Sequence, residues 1–156
     1  MHEELRALAG GDLAAWPGLP EGLARADVEA ALDAEAEAEG PVALFGTPAT
    51  LCRYPATTAA PRGIQIWYAA GVANLVEIDE PAPAVPVTEA LGPPEAEVDS
   101  LLGSSRRQLI YAGRGLTVHI SAVTGEPYRL YGYAPCPTKQ FLDAPLRWVS
   151  STRSRR

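Results

Sequence analysis

The sequence predicts an α+β fold: a twisted antiparallel β-sheet with helices packed on one face. Three observations carry that expectation. From residue 42 onward, short runs of period-two alternation recur between turn signals. Apolar residues three and four apart, the mark of an amphipathic helix, are confined to a few short stretches. Fifteen prolines and 14 glycines in 156 residues divide the chain too often for a long helical bundle. The length suits one domain, residues 1–149, followed by a flexible basic tail at 150–156.

In chain order, Leu5 and Leu8 place a short helix over residues 2–9, stopped by Gly10 and Gly11. A rigid apolar turn follows at residues 16–20. Ala24, Val28, Ala31 and Leu32 form one stripe of a helix over residues 23–38, which Gly40 and Pro41 terminate. The Ala/Glu alternation at 34–39 is read as its last turn, because neither residue is β-branched. Strands are predicted at 42–45, 51–54, 63–69 and 72–79, the last two joined by an Ala70-Gly71 hairpin. Pro81, Pro83 and Pro86 make 80–92 a linker. Pro94 in a first turn, Glu95 and Glu97 beside it, and the spacing of Val98, Leu101 and Leu102 predict a helix over 93–102. Further strands are expected at 108–112, 116–123 and 127–133, then a short helix at 138–144 and an apolar dock at 146–149.

The order helix, strand, hairpin occurs twice, which suggests two similar halves, 12–81 and 82–149; common helix and strand templates also match this way by chance. Gly22-Leu23-Ala24-Arg25-Ala26-Asp27-Val28 looks like a helix entry, and Ala90-Leu91-Gly92-Pro93-Pro94 like a Leu-Gly-x-Pro step. On these segments the chain resembles the β-lactamase inhibitor protein family and the related outer-membrane assembly lipoprotein fold, over residues 19–134. It departs from them at Ala24, where a capping Thr is expected, in lacking the inhibitor's disulfides and in lacking a lipoprotein signal. What the resemblance implies is a sheet used to bind another protein.

Composition narrows the function classes. No apolar run reaches the ~18 residues of a membrane helix, and no signal-peptide pattern opens the sequence, so a cytoplasmic protein is expected. Cys52 and Cys136 share no CxxC spacing and are expected to be free thiols. The net charge of −6 hides an asymmetry: residues 1–100 carry 17 acidic and 4 basic side chains, residues 101–156 carry 2 and 9. Scattered histidines and cysteines predict no metal site, and Gly113-Arg114-Gly115 lacks the remainder of a phosphate loop, so no cofactor is expected. The acidic run at 27–39 reads as a solvated face, and three arginines on a loose tail argue against specific nucleic-acid binding.

Alternation places Ile64, Ile66 and Tyr68 on one sheet face with Leu116, Val118 and Ile120, and with Tyr128 and Leu130. It leaves Trp67, His119, Arg129, Tyr131 and Tyr133 on the other. Tyr, Trp and Arg are the residue types that dominate binding hot spots. The expectation is therefore a non-enzymatic module that captures another protein, as an inhibitor or immunity-type partner of a bacterial enzyme, through these five residues. Cover of the same face by Phe141 and Trp148 is the competing reading. An enzyme or small-ligand binder with a pocket lined by His119, Tyr111 and Cys136 is the alternative function.

Overall fold

The computed structural model describes residues 3–100 and 105–143. The 146–149 dock, the 150–156 tail, Trp148, Leu101 and Leu102 lie outside the described residues.

Eight strands form one open antiparallel sheet in the order β1-β2-β3-β4-β8-β7-β6-β5. The first four, β1 (Ala38–Leu44), β2 (Thr47–Tyr54), β3 (Ile64–Ala69) and β4 (Val72–Asp79), make one meander. The last four, β5 (Ala96–Asp99), β6 (Arg106–Tyr111), β7 (Leu116–Ser121) and β8 (Pro127–Gly132), make a second. They join where β4 pairs antiparallel with β8, so the strand order reads the same from either edge.

The likeness extends to a defect. Trp67 pairs with Leu75 but Tyr68 with Ala73, leaving Asn74 as the extra residue of a bulge. His119 pairs with Arg129 but Ile120 with Pro127, leaving Tyr128 as the extra residue at the same place in the second meander.

Helices α1 (Glu3–Ala9), α2 (Arg25–Leu32) and α3 (Val87–Leu91) cover the aliphatic face. Leu5, Leu8, Val28, Ala31 and Val87 pack there with Ile64, Ile66, Val76, Val118 and Leu130. In α1, Glu3 and Glu4 suit the positive end of the helix dipole, and the Gly10 N–H closes the helix on the Arg6 carbonyl at 3.0 Å. Trp16 follows a short 3₁₀ turn and is completely buried, its indole N–H donating to the Gly115 carbonyl at 3.0 Å. The ring lies so close on Gly132 that an added Cβ would sit 2.9 Å from it. Trp16 thus plugs the end of the sheet where β8 finishes. A fourth helix, α4 (Thr138–Asp143), lies across the opposite face and brings Phe141 to stack on Tyr133, ring centroids 5.1 Å apart.

Two expected helices differ. The 23–38 helix stops at Leu32, where Asp33 turns left-handed (φ 51°), and Ala38 and Glu39 already belong to β1. Glu35, Glu37 and Glu39 would have opposed the dipole at a helix C-terminus; on an edge strand and its approach they reach water instead. Over its described part, residues 93–100, the expected 93–102 helix gives way to β5, in which half-buried Ala96 and Val98 alternate with exposed Glu97 and Asp99. The two-residue period won over the proline and the acidic first turn. The expected linker holds α3.

Candidate functional site

The second sheet face is not an open patch. Trp67, Tyr131 and Tyr133 are each 1% exposed, Arg129 7%, and His119 is completely enclosed. Alternation assigned these side chains to the correct face, but that face carries a core of its own, with Leu44, Leu51, Leu75, Ile110, Ala112 and Phe141 around the three aromatics. A surface made of these five residues is therefore corrected to an interior, which sets Trp67 and Tyr133 aside as contacts for a partner.

The interior is unequal in its two halves. In the first meander Trp67 lies between Leu51 on β2 and Leu75 on β4. At the matching position in the second, His119 lies between Gln108 on β6 and Arg129 on β8. An apolar Leu-Trp-Leu layer thus has a Gln-His-Arg counterpart that is buried just as deeply. Burying polar and charged groups is costly unless each finds partners, and the partners are in place. The Gln108 amide donates to Thr117 Oγ1 at 3.2 Å, and that hydroxyl donates to the Leu109 carbonyl at 3.0 Å. Arg129 donates through Nη2 and Nε to Asp79 Oδ1 at 3.0 and 3.2 Å and lies 3.5 Å from Glu77 Oε2. The Tyr131 hydroxyl donates to that same Glu77 oxygen at 2.8 Å. Burial pushes the Arg129 guanidinium toward losing its proton, but Tyr131, Glu77 and Asp79 more than reverse this, and the net shift is upward.

His119 reaches the remaining members. Its Nδ1 is 2.8 Å from the Ser100 hydroxyl, which is 3.1 Å from the Tyr128 hydroxyl. Its ring meets Tyr131 edge-on at 6.0 Å and Tyr128 at 6.1 Å. A serine hydrogen-bonded to an imidazole is the ground-state geometry of an activated nucleophile. Here both groups are enclosed, Ser100 at 7% exposure, so the pair acts as a strut that fixes the tyrosine above it.

Tyr128 stands where the strut reaches the surface. Simple alternation assigns it to the aliphatic face with Leu130. The bulge sets Tyr128 and Arg129 together opposite His119, which turns the half-buried phenol toward the polar side. The Arg106 guanidinium lies over its ring, 3.9 Å from the centroid.

Both side chains line an open cleft of about 790 Å³ where β4 ends and β8 begins, with Arg62, Asp79, Glu80, Ser105, Ser121, Thr124, Glu126 and Arg129. One wall is a rigid turn. The Ser121 hydroxyl accepts from the Val123 and Thr124 N–H groups at 3.1 Å each, and the Ala122 N–H donates to the Ser105 carbonyl at 2.8 Å. Val123, at its tip, is 83% exposed. Of the residues singled out from sequence, only Arg129 lines this cleft, with His119 beneath it. Arg106, Tyr128, Ser100 and the 121–124 turn are the additions; Pro127 beside the bulge is the sequence signal that could have pointed to Tyr128.

The alternative pocket is not assembled. Tyr111 belongs to the helix-covered core and donates to the Gly92 carbonyl at 2.9 Å. Cys136 is bonded by its N–H to the Ala112 carbonyl in the 3₁₀ turn beyond the end of β6, whereas His119 pairs with Gln108 inside that strand. Burial, and then the Glu95 carboxylate, push its thiol up rather than activating it. Cys52 is likewise free and is completely buried. Among the described residues no His, Cys, Asp and Glu grouping is suited to a metal ion, and no helix is long and apolar enough to cross a membrane.

The enclosed phenols make a pH prediction. Tyr54, Tyr68, Tyr111, Tyr131 and Tyr133 are all shifted above the ordinary tyrosine value, in each case chiefly by burial. A proton held more tightly in the folded state contributes stability below the unfolded value of ~10, and that stability is lost as pH rises past it. The melting temperature should fall steeply above pH ~10, and tyrosinate absorbance should rise together with unfolding. Ionisation of most of the tyrosines in a still-folded protein would contradict this burial.

Comparison of the chain with protein-family models, with curated proteins and with solved structures gives no match.

Proposed function

We propose that the protein is a non-enzymatic binding module that captures another protein, as an inhibitor or immunity-type partner, and that recognition takes place at the rim of the cleft between the two meanders. The observation that carries this reading is the contrast between Leu51-Trp67-Leu75 and Gln108-His119-Arg129. One half demonstrates that an apolar layer fits this position. The other replaces it with buried polar groups whose hydrogen bonds run up to Tyr128 and to the base of the cleft. Well-packed apolar residues often hold a fold at least as well as a buried polar layer, whereas a binding site gains from a tyrosine and an arginine fixed before the partner arrives.

The rim also has the composition of an interface centre. Tyr128, Arg106 and Arg129 are hot-spot residue types, and Val123 adds an exposed apolar side chain on an internally bonded turn.

The test is affinity capture from the source cell with wild-type protein and with Tyr128→Ala and Arg106→Ala. Both variants are expected to lose the captured partner, a loss of about 2 kcal/mol or more in binding, while each melts within a few degrees of wild type. Undiminished capture by both variants would refute the cleft as the recognition surface.

A further inference from the structure

We infer that the cleft seats a carboxylate group of a polypeptide against Arg106; this rests on the protein-capture reading and specifies the chemistry of what is captured. Three guanidinium groups line the cleft, and two are already neutralised. Arg62 bonds to the Glu80 carboxylate and lies 3.8 Å from Asp79. Arg129 is held by Asp79 and Glu77. Arg106 has no carboxylate partner among the described residues, and its contact is with the face of Tyr128. A guanidinium held over a ring face does not spend its N–H donors in that contact, and a guanidinium can meet a carboxylate through two parallel hydrogen bonds. The Ser105 and Ser121 hydroxyls line the same cleft, and Ser121 already accepts two backbone bonds.

The charge of the walls selects a single negative charge. Asp79 and Glu80 are already paired with Arg129 and Arg62, so Arg106 shares the cleft with one further carboxylate, Glu126, and a singly charged group suits that balance better than a doubly charged phosphate. A volume of about 790 Å³ admits several residues of an extended or turned chain. The carboxylate has two sources in a polypeptide, an acidic side chain or the chain terminus.

The test is an NMR titration of the full-length protein with four probes. These are a short alanine peptide containing one aspartate and blocked at both ends, the all-alanine peptide with a free C-terminal carboxylate, the same peptide fully blocked, and inorganic phosphate. At least one carboxylate probe is expected to shift the Arg106 side-chain N–H together with the Ser105, Ser121 and Thr124 amides. Arg106→Gln should weaken that probe about tenfold or more with the fold intact. Which carboxylate probe binds identifies the source. Carboxylate probes no better than the blocked peptide, an Arg106→Gln protein that titrates like wild type, or phosphate binding more tightly than either carboxylate would overturn the inference. Loss of partner capture in Arg106→Ala without carboxylate binding would leave the protein-capture reading standing and remove this one.

Discussion

Replacing Trp67 with alanine is expected to remove about 3–5 kcal/mol of stability, the loss typical of a large aromatic deleted from a packed core. The indole is enclosed between Leu51 and Leu75 and belongs to a cluster with Leu44, Tyr131 and Tyr133. Truncation therefore opens a cavity that a sheet with fixed strand spacing cannot close. Chemical denaturation of wild type and variant measures it. A change of under ~0.5 kcal/mol, normal for an exposed side chain, would place Trp67 at the surface and restore the open-face reading.

Arg129→Met is expected to be comparably damaging, at about 3–5 kcal/mol, for an electrostatic reason. The methionine fills much of the same space, so packing changes little. What is lost is the cation between Glu77, itself 2% exposed, and Asp79. Two carboxylates are then left close together without their guanidinium. A deficit under ~1 kcal/mol at neutral pH, the usual worth of an exposed ion pair, would show that Arg129 is solvated.

Much of the fold was legible because two-residue alternation is a strong signal wherever both arms of a hairpin obey it. The strand at residues 72–79 was read with its exact bounds, and those of β3, β7 and β8 differ by a residue or two at their ends. The helix reading fails at residues 34–39 and 93–100 because Ala and Glu favour helices locally, whereas a sheet edge rewards alternation that local preference does not register. The site was less legible. Alternation grouped Trp67, His119, Arg129 and Tyr131 on one face, but strand patterns do not state whether a face meets water or a second core. Alternation puts Tyr128 on the wrong side because one extra residue in β8 shifts the rhythm; Pro127 stands beside the bulge, but a proline there reads equally as the first residue of a strand.

The meander containing Trp67 fills the layer with apolar packing, and the meander containing His119 fills it with a hydrogen-bonded polar strut. The plugged end of the sheet, where Trp16 lies on Gly132, and the open end, where Tyr128 faces the cleft, are the corresponding contrast along the strands.

Amide hydrogen exchange of the protein alone and in complex with a captured protein would locate the recognition surface residue by residue. Protection on binding is predicted to concentrate at residues 105–106 and 121–129, the walls of the cleft. Protection confined to α1 and α2, or to the β1–β2 turn where Phe45 is half exposed, with the cleft exchanging as in the free protein, would contradict recognition at the cleft.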